Sequence, residues 1–268
     1  MATAATTPAS ATGEGGGMWV LRDALAVAQR NLIVYLRIPQ LLVFSTIQPV
    51  IFVVMFRYVF GGAISVPNGS YVDYLMPGIF VQTVVFGSMT AAVGLATDLK
   101  SGLLERFHSL PMARSAVLAG RTSADLVRNV FVATLMAAVG FIVGFRIHTN
   151  VVAFLAGMGL VLLFGYTFSW IFATVGLAVG DPETAQAASF PVMAPLVFAS
   201  SAFVPVETMP GWLQVFAEHQ PVSVTASAIR ALFLGGPTTT YVLQSLAWCG
   251  GILLVFVPLA VARYRCTV

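Results

Sequence analysis

Apolar runs dominate the chain, and the distances between charged residues measure them. Charge-free windows cover 38–56, 74–97, 129–145, 147–180, 184–206 and 231–262. A helix crossing a hydrocarbon layer needs about 20 residues, with a range of roughly 17–25, so all six windows qualify. The window 147–180 opens on His148, Thr149 and Asn150, and 231–262 contains Gly235-Gly236-Pro237, so each holds one helix plus a connection. The stretches 58–72 and 208–217 carry Gly61-Gly62, Pro67-Asn68-Gly69 and Pro210-Gly211, which read as turns. The spans expected are about 41–60, 74–97, 124–145, 151–178, 185–205 and 241–262. The runs are continuous rather than alternating. A water-free layer accepts only helices or closed barrels, so the pattern predicts an all-α integral membrane fold with six transmembrane helices.

The segments between the spans carry their own patterns. In 18–38, Arg22/Asp23, Gln29/Arg30 and Arg37 recur at sevens, while Leu21, Leu25, Ala28, Leu32 and Leu36 fill the opposite face. This reads as an N-terminal interfacial amphipathic helix turning at Pro39, the alternative being a first span that begins early. Residues 98–121 form the one long loop of their side. Within it, 101–109 can make a short helix presenting Leu103, Leu104 and Phe107, rimmed by Glu105, Arg106 and His108 and stopped at Leu110-Pro111. An apolar knob with a charged rim suits docking to a soluble partner, and a solvated basic loop is the other reading. In 203–230, Pro205 and Pro210 fit helix starts better than interiors. Pro210 opens a short helix carrying Trp212, Leu213, Val215 and Phe216, Pro221 breaks it, and 222–234 form a second. This is an outer re-entrant or interfacial helical hairpin.

Composition narrows the class. Apolar residues make up 58% of 268 and charged ones 9%, against about 25% charged in soluble domains, and the mean hydropathy is +0.91. These values exclude a soluble globular enzyme and a disordered chain. A net charge of +3 is too thin for a nucleic-acid face, so no nucleic-acid partner is expected. With six spans, Arg22, Arg30, Arg37, Lys100, Arg106, Arg114, Arg121, Arg128, Arg263 and Arg265 share a side, against Arg57, Arg146 and Arg230. Ten against three puts both termini in the cytoplasm of a multi-pass protein of the cell membrane. Residues 1–17 read as a disordered tail rather than a signal peptide, and 18–268 as one membrane domain. Cys249 and Cys266 match no metal spacing and no obvious disulfide.

Candidate chemistry is sparse. His108, His148 and His219 fall in connections, and the acids, including Asp73, Asp98, Asp125 and Asp181, read as tail, loop or helix-end groups. Gln48, Gln82, Gln186, Ser88 and Thr90 lie within spans, where interhelical hydrogen bonds of about 0.6 kcal/mol explain most such groups. Gly94 and Lys100-Ser101 have the outer spacing of a phosphate-binding loop, but Leu99 replaces its second glycine and Lys100 is the only lysine. No catalytic, metal or cofactor residue is expected in this chain. If transport is active, its energy comes from another polypeptide.

Together these features resemble a known family. They are the amphipathic N-terminal segment, six spans, and Gly102-Leu103-Leu104-Glu105 … Leu110-Pro111 … Gly120-Arg121 between spans two and three. Asp181-Pro182-Glu183-x-Ala185-Gln186 precedes span five, and Pro205-x-Glu207-x-Met209-Pro210-x-Trp212-Leu213 follows it. The chain is similar over about 18–265 to ABC-2 type permeases, and among them to daunorubicin-resistance-type drug and lipid exporters. Gln220-Pro221 departs from the usual Asn-Pro, a change at a helix-capping position. The resemblance implies a second permease copy or sister permease and separately encoded cytoplasmic ATPase subunits that bind ATP and Mg. It implies that 101–110 is a coupling helix, with Gly102, Leu104, Glu105, Arg106, Phe107 and Pro111 as its contact residues. It also implies that spans two and five, from facing subunits, line a path for hydrophobic cargo and membrane lipid, by way of Phe80, Phe86, Met89, Phe190, Met193 and Phe198. Pro205, Glu207, Pro210 and Trp212 would belong to an outer lid. The other readings are a polytopic membrane enzyme of lipid metabolism, which would need acids, bases or metal ligands inside the spans, and a non-transporting membrane scaffold or immunity protein.

Overall fold

The structure, a computed structural model, describes residues 29, 39–62, 64, 70–103 and 114–267. The expected interfacial helix, apart from Gln29, and residues 104–113 of the long loop lie outside the described residues, so Leu104, Glu105, Arg106, Phe107 and Pro111 have no structural account. The described residues hold eight α-helices and no strand. Helix α1 (Pro39–Val54) widens into a π-helical segment, Met55–Phe60. There follow α2 (Tyr71–Lys100), α3 (Arg114–Val143), α4 (Val151–Val179) and α5 (Pro182–Phe198). A 3-10 turn, Val206–Thr208, leads to α6 (Gly211–His219), α7 (Pro221–Leu234) and α8 (Thr238–Thr267). Four stretches are long and apolar enough to cross a membrane: α2, Leu118–Val143 of α3, α4, and Thr238–Tyr264 of α8. Ser45–Phe60 and α7 are shorter apolar helices.

Helix boundaries follow from local capping. The Ser70 hydroxyl accepts from Val72 N at 3.3 Å to start α2, and Gly102, at φ 68°, turns the chain off its far end. Only glycine adopts that backbone without strain. Gly180, at φ 75°, closes α4. The Asp181 carboxylate then accepts from Thr184 N at 3.1 Å, and Pro182 opens α5 without losing a helical donor. Likewise Gln220 caps α7, its Oε1 accepting from Val222 N at 3.1 Å, which gives the departure at Gln220-Pro221 a concrete role.

Two expected boundaries move. The third span was expected from 124, with Arg121, Asp125 and Arg128 treated as loop or helix-end groups. Instead α3 is helical from Arg114 and carries all three inside it. Their charges are met by side chains and carbonyls of α2, so they do not end the helix. The fifth span was expected to reach 205, but α5 ends at Phe198 and residues 199–205 turn back toward α7.

Helix α2 is the axis of the packing. It touches α4, α5, α3, α7 and α1, and its most apolar stretch is 67% buried, against 17% for α8. Lipid tails are as apolar as leucine, so close packing rather than water exclusion drives such contacts. Glycines permit them: a Cβ at Gly78 would overlap the backbone of Ala202, and one at Gly176 would overlap the backbone of Ala92. Helix α8 leaves Leu243, Leu246, Leu254, Val255 and Leu259 exposed.

Candidate functional site

Between α1, α2, α3 and α5 lies a cavity of about 580 Å³. Phe86, Met89 and Val93 face it from α2 at helical spacing, and Phe190 from α5. Ser45 and Gln48 of α1 and Gln186 of α5 add polar groups. The remaining wall comes from Thr90 and Gly94 of α2 and from Arg121, Ala124, Asp125 and Arg128 of α3. One face of the cavity is thus aromatic and thioether, the other ionic and hydrogen-bonding.

The polar wall is built by two matched heptad spacings. On α2, Gly87 and Gly94 lie seven residues apart, and on α3 so do Arg121 and Arg128. The helices run antiparallel, so each glycine notch receives one guanidinium. A Cβ at Gly87 would lie 2.9 Å from Arg128 Nη2 and 2.8 Å from Asn129 Oδ1, and one at Gly94 would overlap Arg121. Arg128 is buried. Its Nη2 donates to Gly87 O at 2.5 Å and to Asn129 Oδ1 at 3.1 Å, and its Nη1 donates to Thr90 Oγ1 at 2.5 Å. Thr90 Oγ1 donates to Gly87 O at 2.8 Å and lies 3.4 Å from Asp125 Oδ1. Two turns further along, Arg121 Nη1 meets Asp98 Oδ2 at 2.6 Å. Charges inside a membrane segment are costly and are retained where something uses them.

The six residues expected on a path separate into three environments. Phe86, Met89 and Phe190 share the cavity. Phe80 and Met193 are fully buried in the helical core, Phe80 edge-on to Phe233 at 6.0 Å. Phe198 is half-exposed and joins an aromatic stack with Phe52 and Phe203, in which Phe203 also lies 4.6 Å from Phe56. Gln48, Gln186 and Thr90 line the cavity, whereas Gln82 and Ser88 are buried in the core, the Ser88 hydroxyl donating to Val84 O or Gly165 O. Sequence reasoning passed over Arg121, Asp125 and Arg128 as site residues. Their i, i+4, i+7 spacing on one helix face, opposite Gly87 and Gly94, was the available signal.

A second cavity, about 1000 Å³, opens where α7 and α8 meet the 201–207 turn, and it includes Pro205 and Glu207. Arg230 anchors it. Its Nε donates to Tyr74 O at 2.9 Å, Nη1 to Ser201 Oγ at 3.2 Å, and Nη2 to Ser201 O and to Ala202 O, the latter at 3.3 Å. The guanidinium also sits 3.8 Å from the centre of the Tyr74 ring. Of the other hairpin residues, Pro210 precedes α6 as its N-cap and Trp212 projects from that helix largely exposed.

The end of α2 that carries Gly102 is tied to the α4–α5 turn by Lys100 Nζ and Asp181 Oδ1, 2.7 Å apart. The hydrogen bond from Lys100, with those from Thr184, lowers the Asp181 pKa to about 2.

The chain is similar in sequence to known proteins. The family model described as ABC-2 type transporter matches residues 22–234. The daunorubicin resistance ABC transporter permease protein DrrB1 of Streptomyces coeruleorubidus is 34% identical over 88% of this chain and 83% of its own. The probable doxorubicin resistance ABC transporter permease protein DrrC of Mycobacterium tuberculosis is 30% identical over 82% of this chain and 80% of its own. The putative transport permease ycf38 of Cyanophora paradoxa is 26% identical over 80% and 74%.

Proposed function

The chain belongs to the ABC-2 type transporter family as a permease of an ABC exporter, and from that premise we propose that it moves hydrophobic or amphipathic, drug-like or lipid-like molecules out across the cell membrane. The observation that carries this reading is the cavity between α1, α2, α3 and α5. Its Phe86, Met89 and Phe190 face offers bulky, adaptable contact, of which the thioether is the most compliant part. Its polar face offers hydrogen bonds. A site with both faces suits molecules that are greasy at one end and polar at the other.

In this reading the chain crosses the membrane six times. The crossings are α1 with its π-helical extension, α2, α3, α4, α5 and α8, with both termini cytoplasmic and α6–α7 forming a re-entrant outer hairpin. The chain works with a second permease. Force comes from cytoplasmic ATPase subunits, which bind ATP and Mg and seat the 101–111 segment through Gly102, Leu104, Glu105, Arg106, Phe107 and Pro111. Closure of the ATPases carries that segment inward. Because α2 and α3 flank it and are bound to each other by Arg121–Asp98 and by Arg128 in the Gly87 notch, the two tilt together and open the cavity outward. The Lys100–Asp181 pair extends the same movement to the α4–α5 turn. The outer hairpin, with Pro205, Glu207, Pro210 and Trp212, acts as the lid.

The test is a complex with the cognate ATPase, reconstituted in vesicles and assayed for ATP turnover and for uptake of a fluorescent amphiphile. The amphiphile should stimulate turnover and be transported. The variants Glu105→Lys and Phe107→Ala should abolish transport while basal hydrolysis persists. Full transport by both would remove the coupling assignment, and no ATP-dependent movement of any amphiphile would remove the export reading.

A further inference from the structure

The ionic wall of the cavity is more than helix packing requires. Two helices in lipid associate through small residues and van der Waals contact, and an apolar pair in the Gly87 and Gly94 notches would avoid the desolvation that buried charges incur. Instead the notches hold Arg128 and Arg121, and Asp125, also buried, faces the same cavity as both. The charges balance locally. Arg121 meets Asp98 at 2.6 Å. Arg128 and Asp125 both reach the Thr90 hydroxyl, Arg128 Nη1 at 2.5 Å and Asp125 Oδ1 at 3.4 Å. Two arginines and two aspartates sum to zero.

We propose that Thr90, Asp125 and Arg128 read the polar end of the cargo, and that the site takes amphiphiles whose head is uncharged or zwitterionic in preference to heads with a net charge. The proposal rests on the export reading above and deepens it. A head with adjoining donor and acceptor groups can stand in for the Thr90 hydroxyl, accepting from Arg128 and donating to Asp125, so no polar group is left unmatched. A net-charged head brings a charge against a wall whose charges, among the described residues, sum to zero. The apolar tail lies against Phe86, Met89 and Phe190. Arg121, held by Asp98, closes the wall toward the end of α2 that leads into the long loop.

The test uses the permease–ATPase complex in lipid nanodiscs without nucleotide. Four probes share one nitroxide-labelled stearyl chain and differ only in the head: glyceryl, phosphoethanolamine, trimethylammonium and phosphate. The wild type should bind the first two at least about tenfold more tightly than the last two. Thr90→Val, close in shape, removes the hydroxyl that the head replaces, so it should keep or widen that gap while still binding every tail. Asp125→Asn should leave the wall positive and move phosphate ahead of trimethylammonium. The double variant Asp125→Asn/Arg128→Gln, neutral again, should restore the preference for uncharged heads, and that rescue separates head reading from misfolding. Equal binding of all four heads to the wild type, no saturable binding of any, or an unchanged head order in Asp125→Asn overturns the proposal. Transport measured alongside keeps the two readings apart. Transport without head selectivity sinks only this inference, and head selectivity without ATP-driven transport sinks only the export reading.

Discussion

Arg128 and Arg230 are both arginines withdrawn from water, and each bonds a main-chain oxygen, yet their surroundings differ. Arg230 places its donors mainly on main-chain oxygens, Tyr74 O in the first turns of α2 and Ser201 O and Ala202 O in the turn that follows α5. Beside it Gly78 accepts the backbone of Ala202 itself. Around Arg128 the glycine notches at Gly87 and Gly94 are filled by side-chain tips, and its partners include Thr90 and Asn129 side chains. Backbone locked on backbone cannot yield without moving a helix, whereas side chains locked on side chains can exchange partners. The region around Arg230 therefore reads as a fixed joint, and the α2–α3 seam as an adaptable one that faces a cavity.

The sharpest way to break this contrast is Arg230→Ala. It strands the carbonyls of Ser201 and Ala202 in a buried turn and frees Tyr74 O of its side-chain donor, and each orphaned acceptor costs about 1–3 kcal/mol. A loss of several kcal/mol is expected, read as a large drop in the thermal unfolding midpoint or as failure to recover folded protein. Arg230→Lys should recover only part, since an ammonium lacks the planar fork. Wild-type stability in Arg230→Ala would abolish the contrast. Next in size is Gly78→Ala, where the added methyl meets the Ala202 main chain; overpacking of this kind costs about 1–3 kcal/mol.

Gly94→Ala sharpens the comparison from the other side. The methyl meets the flexible end of Arg121 rather than backbone, so the guanidinium can swing aside at a stability cost below that of Gly78→Ala, about 1 kcal/mol. What it should disturb is the Arg121–Asp98 pair, and with it the joint motion of α2 and α3. The expected result is near-normal thermal stability with a reduced ratio of cargo moved to ATP hydrolysed. A Gly94→Ala protein less stable than Gly78→Ala would reverse the ranking of the two regions.

The legibility of these features in the sequence tracks how local their causes are. The ends of α4 follow from Asn150 and Gly180, and the start of α5 from Asp181-Pro182, all within a few residues of the expected boundaries. The α6–α7 break at Gln220-Pro221 was equally visible. The start of α3 was not, because a charge ends a membrane span only if nothing receives it. The receivers, Asp98, Gly87 O and Thr90, are on another helix. For the same reason Phe86, Met89 and Phe190 could be picked out as bulky residues on spans two and five. That Phe80 and Met193 turn inward, while Phe198 joins the Phe52 and Phe203 stack, depends on neighbours no single-helix pattern reveals.

The smallest expected effect concerns the pair that joins α2 to the α4–α5 turn. Asp181 has its pKa lowered to about 2, chiefly by Lys100, so its contribution is present above the ordinary carboxylate value and fades as pH falls toward 2. Both partners stay charged across the whole neutral range. Lys100→Met should therefore lower cargo-stimulated ATP turnover by a similar modest factor at pH 6 and at pH 8.5. Since the pair is solvent-exposed, raised salt should shrink the difference between wild type and variant. A wild-type-to-variant ratio that changes steeply between those two pH values would mean that a different, titrating group links α2 to this turn.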